Sequence, residues 1–197
     1  MSDFRSLTLY LIRHGECQHN LKGRVAGQSD SPLTARGRLQ ACRAGELLVE
    51  VEPKLPDFQF YASPLHRAAT TMEIAREAAG LPLYDYISDR RLSELDCGAN
   101  TFRQWHEIET EMKADPAFAD RWNWPHPGGE SLLDLHCRVG DFLASLEKNA
   151  VIVSHAGTVR MIRAHYLQLP TDAVLAFQPL HATIIRLTAG TETDWRN

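Results

Sequence analysis

Leu7-Thr8-Leu9-Tyr10-Leu11-Ile12-Arg13-His14-Gly15-Glu16 decides the fold, because a dense apolar run opens directly onto an Arg-His pair. Such a run reads as a strand covered on both faces, the kind found in a parallel sheet between two helical layers. Open α/β sheets keep their chemistry at the carboxyl ends of their strands. Arg13 is thereby placed to hold an oxyanion and His14 to attack it.

The surrounding chain alternates in the way this strand requires. A polar loop through Gln28-Ser29-Asp30-Ser31-Pro32 leads to Thr34, a candidate N-cap for a helix with Ala44, Leu47, Leu48 and Val51 on one stripe; Pro53 and Pro56 close it. A second strand covers residues 58–62, and Ser63-Pro64 is expected to cap and start a helix over 65–79, stopped by Gly80 and Pro82. Residues 83–87 read as a third strand. Residues 101–124 carry Pro116 and the aromatics Phe102, Trp105, Phe118, Trp122 and Trp124, and read as an inserted helical cap. A Pro-Gly-rich turn at 125–131 precedes a helix whose Leu132, Leu135, Val139, Phe142, Leu143 and Leu146 share a stripe. Val151-Ile152-Val153 is a buried strand delivering Ser154-His155-Ala156-Gly157 to a helix start near Thr158, and a last strand over 183–187 precedes a polar tail. The expected architecture is a three-layer α/β/α sandwich with a mostly parallel central sheet and a small helical cap, all within one domain spanning 1–197.

Bulk composition narrows the function. With 197 residues, 44% hydrophobic, 23% charged and a formal charge of -4, the chain reads as an ordinary globular protein. The absence of a long Lys/Arg run argues against nucleic acid as partner, and neither a secretory leader nor a bilayer-length apolar segment is visible, which makes the cytoplasm the expected location. Cys17, Cys42, Cys97 and Cys137 form no Cys-x-x-Cys pair, so reduced thiols are expected. Of the nine histidines, His19, His66, His106, His126, His136, His165 and His181 show no ligand-like spacing; they read as solvated or packing residues, with His66 and His126 near a substrate mouth.

Three strand exits carry one chemical theme: Arg13-His14, Ser63 with Arg67 one turn into its helix, and Ser154-His155. Two Arg and two His around one point suit a dianion. Arg presents a planar fork of donors matched to phosphate oxygens, and the helix starting after His155 adds backbone N–H groups at Ala156-Gly157.

The motifs that carry this theme resemble those of the histidine phosphatase superfamily, in the branch similar to cofactor-dependent phosphoglycerate mutase. Leu11-Ile12-Arg13-His14-Gly15-Glu16 with Asn20 resembles the nucleophile motif, and Asp30-Ser-Pro-Leu-Thr34 with Gly37 the segment after it. Ser63-Pro-Leu-His-Arg67-Ala-Ala-Thr-Thr71 resembles the second arginine motif, Leu92-Ser-Glu94-Leu-Asp-Cys-Gly98 the acid motif, and Ser154-His155-Ala-Gly-Thr-Val-Arg160 the second histidine motif. Gly128-Gly-Glu130-Ser131 resembles the turn before the long helix. The matches fall in the family's order.

The resemblance implies a phosphomonoester hydrolase acting on a small phosphorylated substrate, with His14 as nucleophile and Glu94 as general acid and then base. It implies Arg13, Asn20, Arg67, His155 and Ala156 as phosphate-binding groups, with Arg67 and His155 counted also among the catalytic residues. Neither metal nor organic cofactor is implied. Two alternatives stand beside hydrolysis: mutase-type phosphoryl transfer, disfavoured by the short stretch around 100–130 with only Arg103, Lys113 and Arg121, and a non-catalytic phosphate-binding protein. Glu16 and Ser63 are expected to brace the pocket backbone. Cys17 stands where the family has a small hydroxyl residue, and reads as a size replacement or as a redox-sensitive thiol at the pocket rim. Phe102 stands where relatives carry a turn glycine, so the chain path there is expected to change. The cap aromatics are either the cap's own core or a lid over a flat leaving group.

Overall fold

The computed structural model describes residues 3–195. Six strands, β1 (Leu9–Arg13), β2 (Gln59–Ala62), β3 (Ile87–Ser88), β4 (Ala150–Ser154), β5 (Ile184–Thr188) and β6 (Thr191–Trp195), form one sheet in the order β3-β2-β4-β1-β5-β6. β1, β2, β3 and β4 run parallel, whereas β5 and β6 are antiparallel to their neighbours. The described helices are α1 (Gln18–Leu21), α2 (Ala35–Val51), α3 (His66–Ala78), α4 (Trp105–Ala114), α5 (Leu132–Ala144), α6 (Ala156–Leu167) and α7 (Thr171–Ala176).

Alternation along β1 explains the layers. Leu9 and Leu11 face a core shared with Leu135, Val139 and Phe142 of α5 and Val159 and Ile162 of α6; Tyr10 and Ile12 face one shared with Ala44 and Leu48 of α2 and Ala68 and Met72 of α3. Each strand residue points opposite to its neighbour, so an apolar run without alternation needs helices on both sides. The α/β sandwich with a mostly parallel sheet is the observed fold. Thr34 caps α2 as expected, its side chain accepting the Gly37 N–H.

Four boundaries differ from expectation. The third strand shrinks to Ile87–Ser88, because Arg76 of α3 bonds the Pro82 carbonyl at 2.7 Å and holds the preceding residues off the sheet edge. α3 starts at His66, one residue later than expected, with Leu65 as its N-cap and the Ser63 hydroxyl accepting the Leu65 N–H at 3.3 Å. α6 starts at Ala156, two residues before Thr158, with His155 as its N-cap. The polar tail is strand β6: Ala189 and Gly190 both take positive φ, 48° and 74°, the two-residue turn whose twist matches a hairpin.

The cap is α4 followed by a short helical turn, with Ile108 and Met112 as its buried apolar residues. An antiparallel bridge between Arg24 and Gln104 ties it to the loop after α1. Phe102 keeps the turn that a glycine would make, at φ 71°, while its ring lies half-exposed with its edge to His19.

Candidate active site

β1 and β4 pair in parallel with Arg13 opposite Ser154, and β2 pairs on the far side of β4 with Ala62 opposite Val153. The three loops that leave these strands therefore start side by side. They open on a cavity of about 700 Å³ lined by Arg13, His14, Asn20, Arg67, Glu94 and Ala156, among others. His155 lies one layer deeper, fully buried, with its ring 5.1 Å from that of His14.

His14 is locked by its own backbone. Nδ1 lies 2.7 Å from the Gly15 carbonyl, which can only accept, so the proton sits on Nδ1 and the lone pair on Nε2. Burial first, then the Arg67 and Arg13 cations, hold its pKa well below the usual histidine value. A neutral ring with a free Nε2 is the form a nucleophile needs. Gly15 permits this conformation because a Cβ there would stand 2.3 Å from the Gly37 carbonyl oxygen of α2.

The cations around it are pinned and incompletely satisfied. Arg67, almost fully buried, donates through Nη1 to the Ser29 carbonyl at 2.6 Å and through Nη2 to the Gly27 carbonyl at 2.7 Å. Arg13 donates through Nη1 to the Pro179 carbonyl at 2.9 Å, and burial pushes its pKa down to about 10, still cationic at neutral pH. The buried Nε of Arg13, Nε of Arg67 and Nδ1 of His155 have no hydrogen-bond partner among the described residues. Buried donors without partners are costly unless a ligand satisfies them. Arg13, Arg67 and Asn20 line one cavity, and that set of donors fits an oxyanion.

His155 is oriented by Ser63, whose Oγ lies 2.7 Å from Nε2 and also accepts the Leu65 N–H. If the Ser63 hydroxyl donates to Nε2, the His155 proton sits on Nδ1, where a phosphate oxygen could accept it. Ser63 thus braces a side chain as well as the loop. Asn20 accepts the Cys17 N–H and thiol on Oδ1 at 3.1 and 3.0 Å, which turns its Nδ2 donors outward. Cys17 is fully buried and acts as a capping group, so its place is behind the pocket wall rather than at the rim.

Glu94 lines the cavity and is held by two backbone amides. Its Oε2 accepts the Gly157 N–H at 3.1 Å, and Oε1 accepts that of Leu95 at 2.9 Å. The amide expected to face phosphate at Gly157 is used instead to hold this carboxylate at the start of α6, while Ala156 remains in the cavity wall. Glu16 braces as expected, accepting the Thr34 hydroxyl at 2.8 Å.

Sequence reasoning missed several residues. Arg138 of α5 donates to the carbonyls of Arg91, Ser93 and Glu94 at 2.8, 2.9 and 3.2 Å and pairs with Glu130, fixing the loop that carries Glu94. Arg160 and His181 line the cavity, and His181 donates from Nδ1 to the His14 carbonyl at 2.8 Å. His126 lines it too, bonded to Asn100, whereas the exposed His66 does not. The cap aromatics divide: Trp105 and Trp124 line the cavity, while Trp122 packs on His136 against the α5 side of the core. Arg160 stood inside a recognised motif, but no spacing signal marks His181 or Arg138.

Comparison with known proteins agrees with the geometry. A probable phosphoglycerate mutase GpmB of Salmonella paratyphi C is 35% identical over 196 residues, covering 96% of this chain and 87% of its own. The solved alpha-ribazole phosphatase from Shigella flexneri superposes with a TM-score of 0.76 at 28% identity, over 95% of this chain and 94% of its own. The native mycobacterial glucosyl-3-phosphoglycerate phosphatase gives 0.76 at 27% identity, over 91% and 89%. The model of the histidine phosphatase superfamily (branch 1) matches residues 9–196, and the chain belongs to that family.

Proposed function

We propose that the chain is a phosphomonoester hydrolase that works through a phosphohistidine on a small phosphorylated metabolite. The observation that carries this reading is the tautomer of His14, whose Nδ1–H is held by the Gly15 carbonyl so that Nε2 is the free nucleophile. Nε2 attacks phosphorus as the ester P–O bond breaks, and Glu94 gives its proton to the leaving alkoxide. Glu94 then takes a proton from water, whose oxygen attacks phosphorus and returns His14 with free phosphate. The unpartnered Nε atoms of Arg13 and Arg67, Nδ1 of His155 and the Asn20 amide stabilise the non-bridging oxygens.

We prefer hydrolysis to mutase transfer on the short cap, whose 101–124 stretch brings one cation, Arg121, to a cavity that Arg24 and Arg160 also line. The named activities of the alpha-ribazole and glucosyl-3-phosphoglycerate phosphatases support it, while the likeness to GpmB favours the mutase reading. No helix among the described residues is long and apolar enough to cross a membrane.

Rapid quenching with 4-nitrophenyl phosphate tests the reading. An acid-labile phosphoprotein and free phosphate are expected, both absent in His14→Ala; neither signal in the native chain would reduce it to a phosphate-binding protein. Incubation with 3-phosphoglycerate separates the two enzymes: isomer without free phosphate would establish the mutase.

A further inference from the structure

Residues 177–182 form a strap tied at several points to the catalytic strand and to α6. Arg160 donates through Nε to the Phe177 carbonyl at 2.6 Å and also bonds Gln178. Arg13 donates to the Pro179 carbonyl at 2.9 Å, and the Ala182 N–H returns to the Arg13 carbonyl at 2.8 Å. Ala182 sits at φ 53°, a left-handed conformation that a Cβ disfavours. Such strain persists where the surroundings over-determine it. Between these ties the His181 ring is fixed by its own Nδ1 bond to the His14 carbonyl.

His181 has two distinct ring nitrogens. Nδ1 donates to the His14 carbonyl at 2.8 Å, so the lone pair lies on Nε2, which has no hydrogen-bond partner among the described residues. The ring stands 5.4 Å from that of His14 and lines the same cavity. Burial, followed by the Arg13 cation, pushes its pKa down to about 4, so the ring is neutral at physiological pH.

A lone pair is the wrong group for phosphate, because it repels the non-bridging oxygens that Arg13, Arg67 and His155 attract. It suits a hydroxyl. Gln178 and Arg160 line the same cavity with donor groups, so one alcohol hydroxyl could give its proton to Nε2 and accept from a neighbour.

We propose that His181 is a specificity-determining residue whose Nε2 accepts a hydrogen bond from a hydroxyl of the leaving alcohol, which makes the substrate the phosphate ester of a polyhydroxy alcohol. The inference rests on the phosphomonoesterase reading and adds the class of alcohol to it. Loss of the substrate hydroxyl leaves Nε2 desolvated and unpaired, which is how a site discriminates against an analogue lacking one group.

Glycerol 1-phosphate and propyl phosphate share a carbon chain and differ in two hydroxyls. The native chain is expected to favour glycerol 1-phosphate in kcat/KM by roughly tenfold or more. His181→Asn retains an amide donor for the His14 carbonyl and loses the group that reaches into the cavity. It should bring the ratio of glycerol 1-phosphate to propyl phosphate near unity, a loss confined to the hydroxylated substrate. An unchanged ratio in His181→Asn, or an equal fall on both substrates, overturns the proposal. The native chain decides the matter even if the variant fails to fold, because turnover without a preference for glycerol 1-phosphate also overturns it. Failure of the native chain to release phosphate from either ester or from 4-nitrophenyl phosphate would instead overturn the hydrolase reading itself.

Discussion

The Glu94 carboxylate is seated on the Gly157 amide, Oε2 to N–H at 3.1 Å, so the first turn of α6 fixes the group proposed to move the proton. A Cβ on residue 157 would stand 2.3 Å from Oε1 and would force the carboxylate away. Gly157→Ala should therefore cut kcat for an alkyl phosphate by about a hundredfold, the scale of loss for a misplacement near 1 Å. Aryl phosphates, whose leaving groups need little protonation, should lose far less. Equal losses on both substrates would remove Glu94 from the acid role, and Glu94→Gln should reproduce the same asymmetry.

Phe102 holds a backbone conformation that favours glycine, at φ 71°, with its ring half-exposed. The strain of a left-handed residue with a Cβ is about 1–2 kcal/mol, against which stands a single ring-edge contact to His19. Phe102→Gly is expected to raise stability by a few tenths of a kcal/mol, what remains of that strain after the added freedom of the unfolded chain and the lost ring contact. Urea unfolding reads this as a higher midpoint at an unchanged slope. A lower midpoint would mean that the ring contributes more than the strain costs.

The arginines and histidines of the candidate site were legible because they sit at strand exits, where the order of a parallel sheet brings distant segments together. Arg13, His14, Arg67 and His155 could be placed from the ends of three apolar runs. Glu94 was legible through its motif, but the amide that holds it was assigned to phosphate, since spacing does not say which acceptor an N–H meets. His181 and Arg138 act through backbone carbonyls of other segments, and such bonds leave no periodicity in the chain. The β6 hairpin was missed for a related reason: its residues are polar on both faces, and the Ala189-Gly190 turn alone marks it. Buried contacts write patterns into a sequence; solvent-facing strands and side chains that serve a neighbour's backbone do not.

Cys17 orients Asn20 through its thiol and its amide, at 3.0 and 3.1 Å from Oδ1. A hydroxyl would serve the same purpose with stronger donation, whereas Ala removes one of the two bonds. Inhibition by inorganic phosphate should be unchanged or tighter in Cys17→Ser. In Cys17→Ala the inhibition constant should rise roughly threefold to tenfold, the worth of one neutral hydrogen bond. Equal constants for the Ala variant and the native chain would detach Asn20 from phosphate binding.

His14 and His155 should make the fold acid-sensitive. Burial, first among the causes, and then the Arg67 cation hold both pKa values well below 6.5, so the unfolded chain binds protons that the folded chain does not. Stability therefore rises with pH in this window: the contribution is complete above about 6.5 and is lost as pH falls toward the folded-state values. Each ring adds a limiting slope of about 1.4 kcal/mol per pH unit. Urea unfolding between pH 7.5 and 5.5 should show the fall, and His14→Ala should flatten it by about one ring's share. A native chain equally stable at both ends of that range would mean that His14 is not held neutral, and the nucleophile would then need a base that the site does not supply.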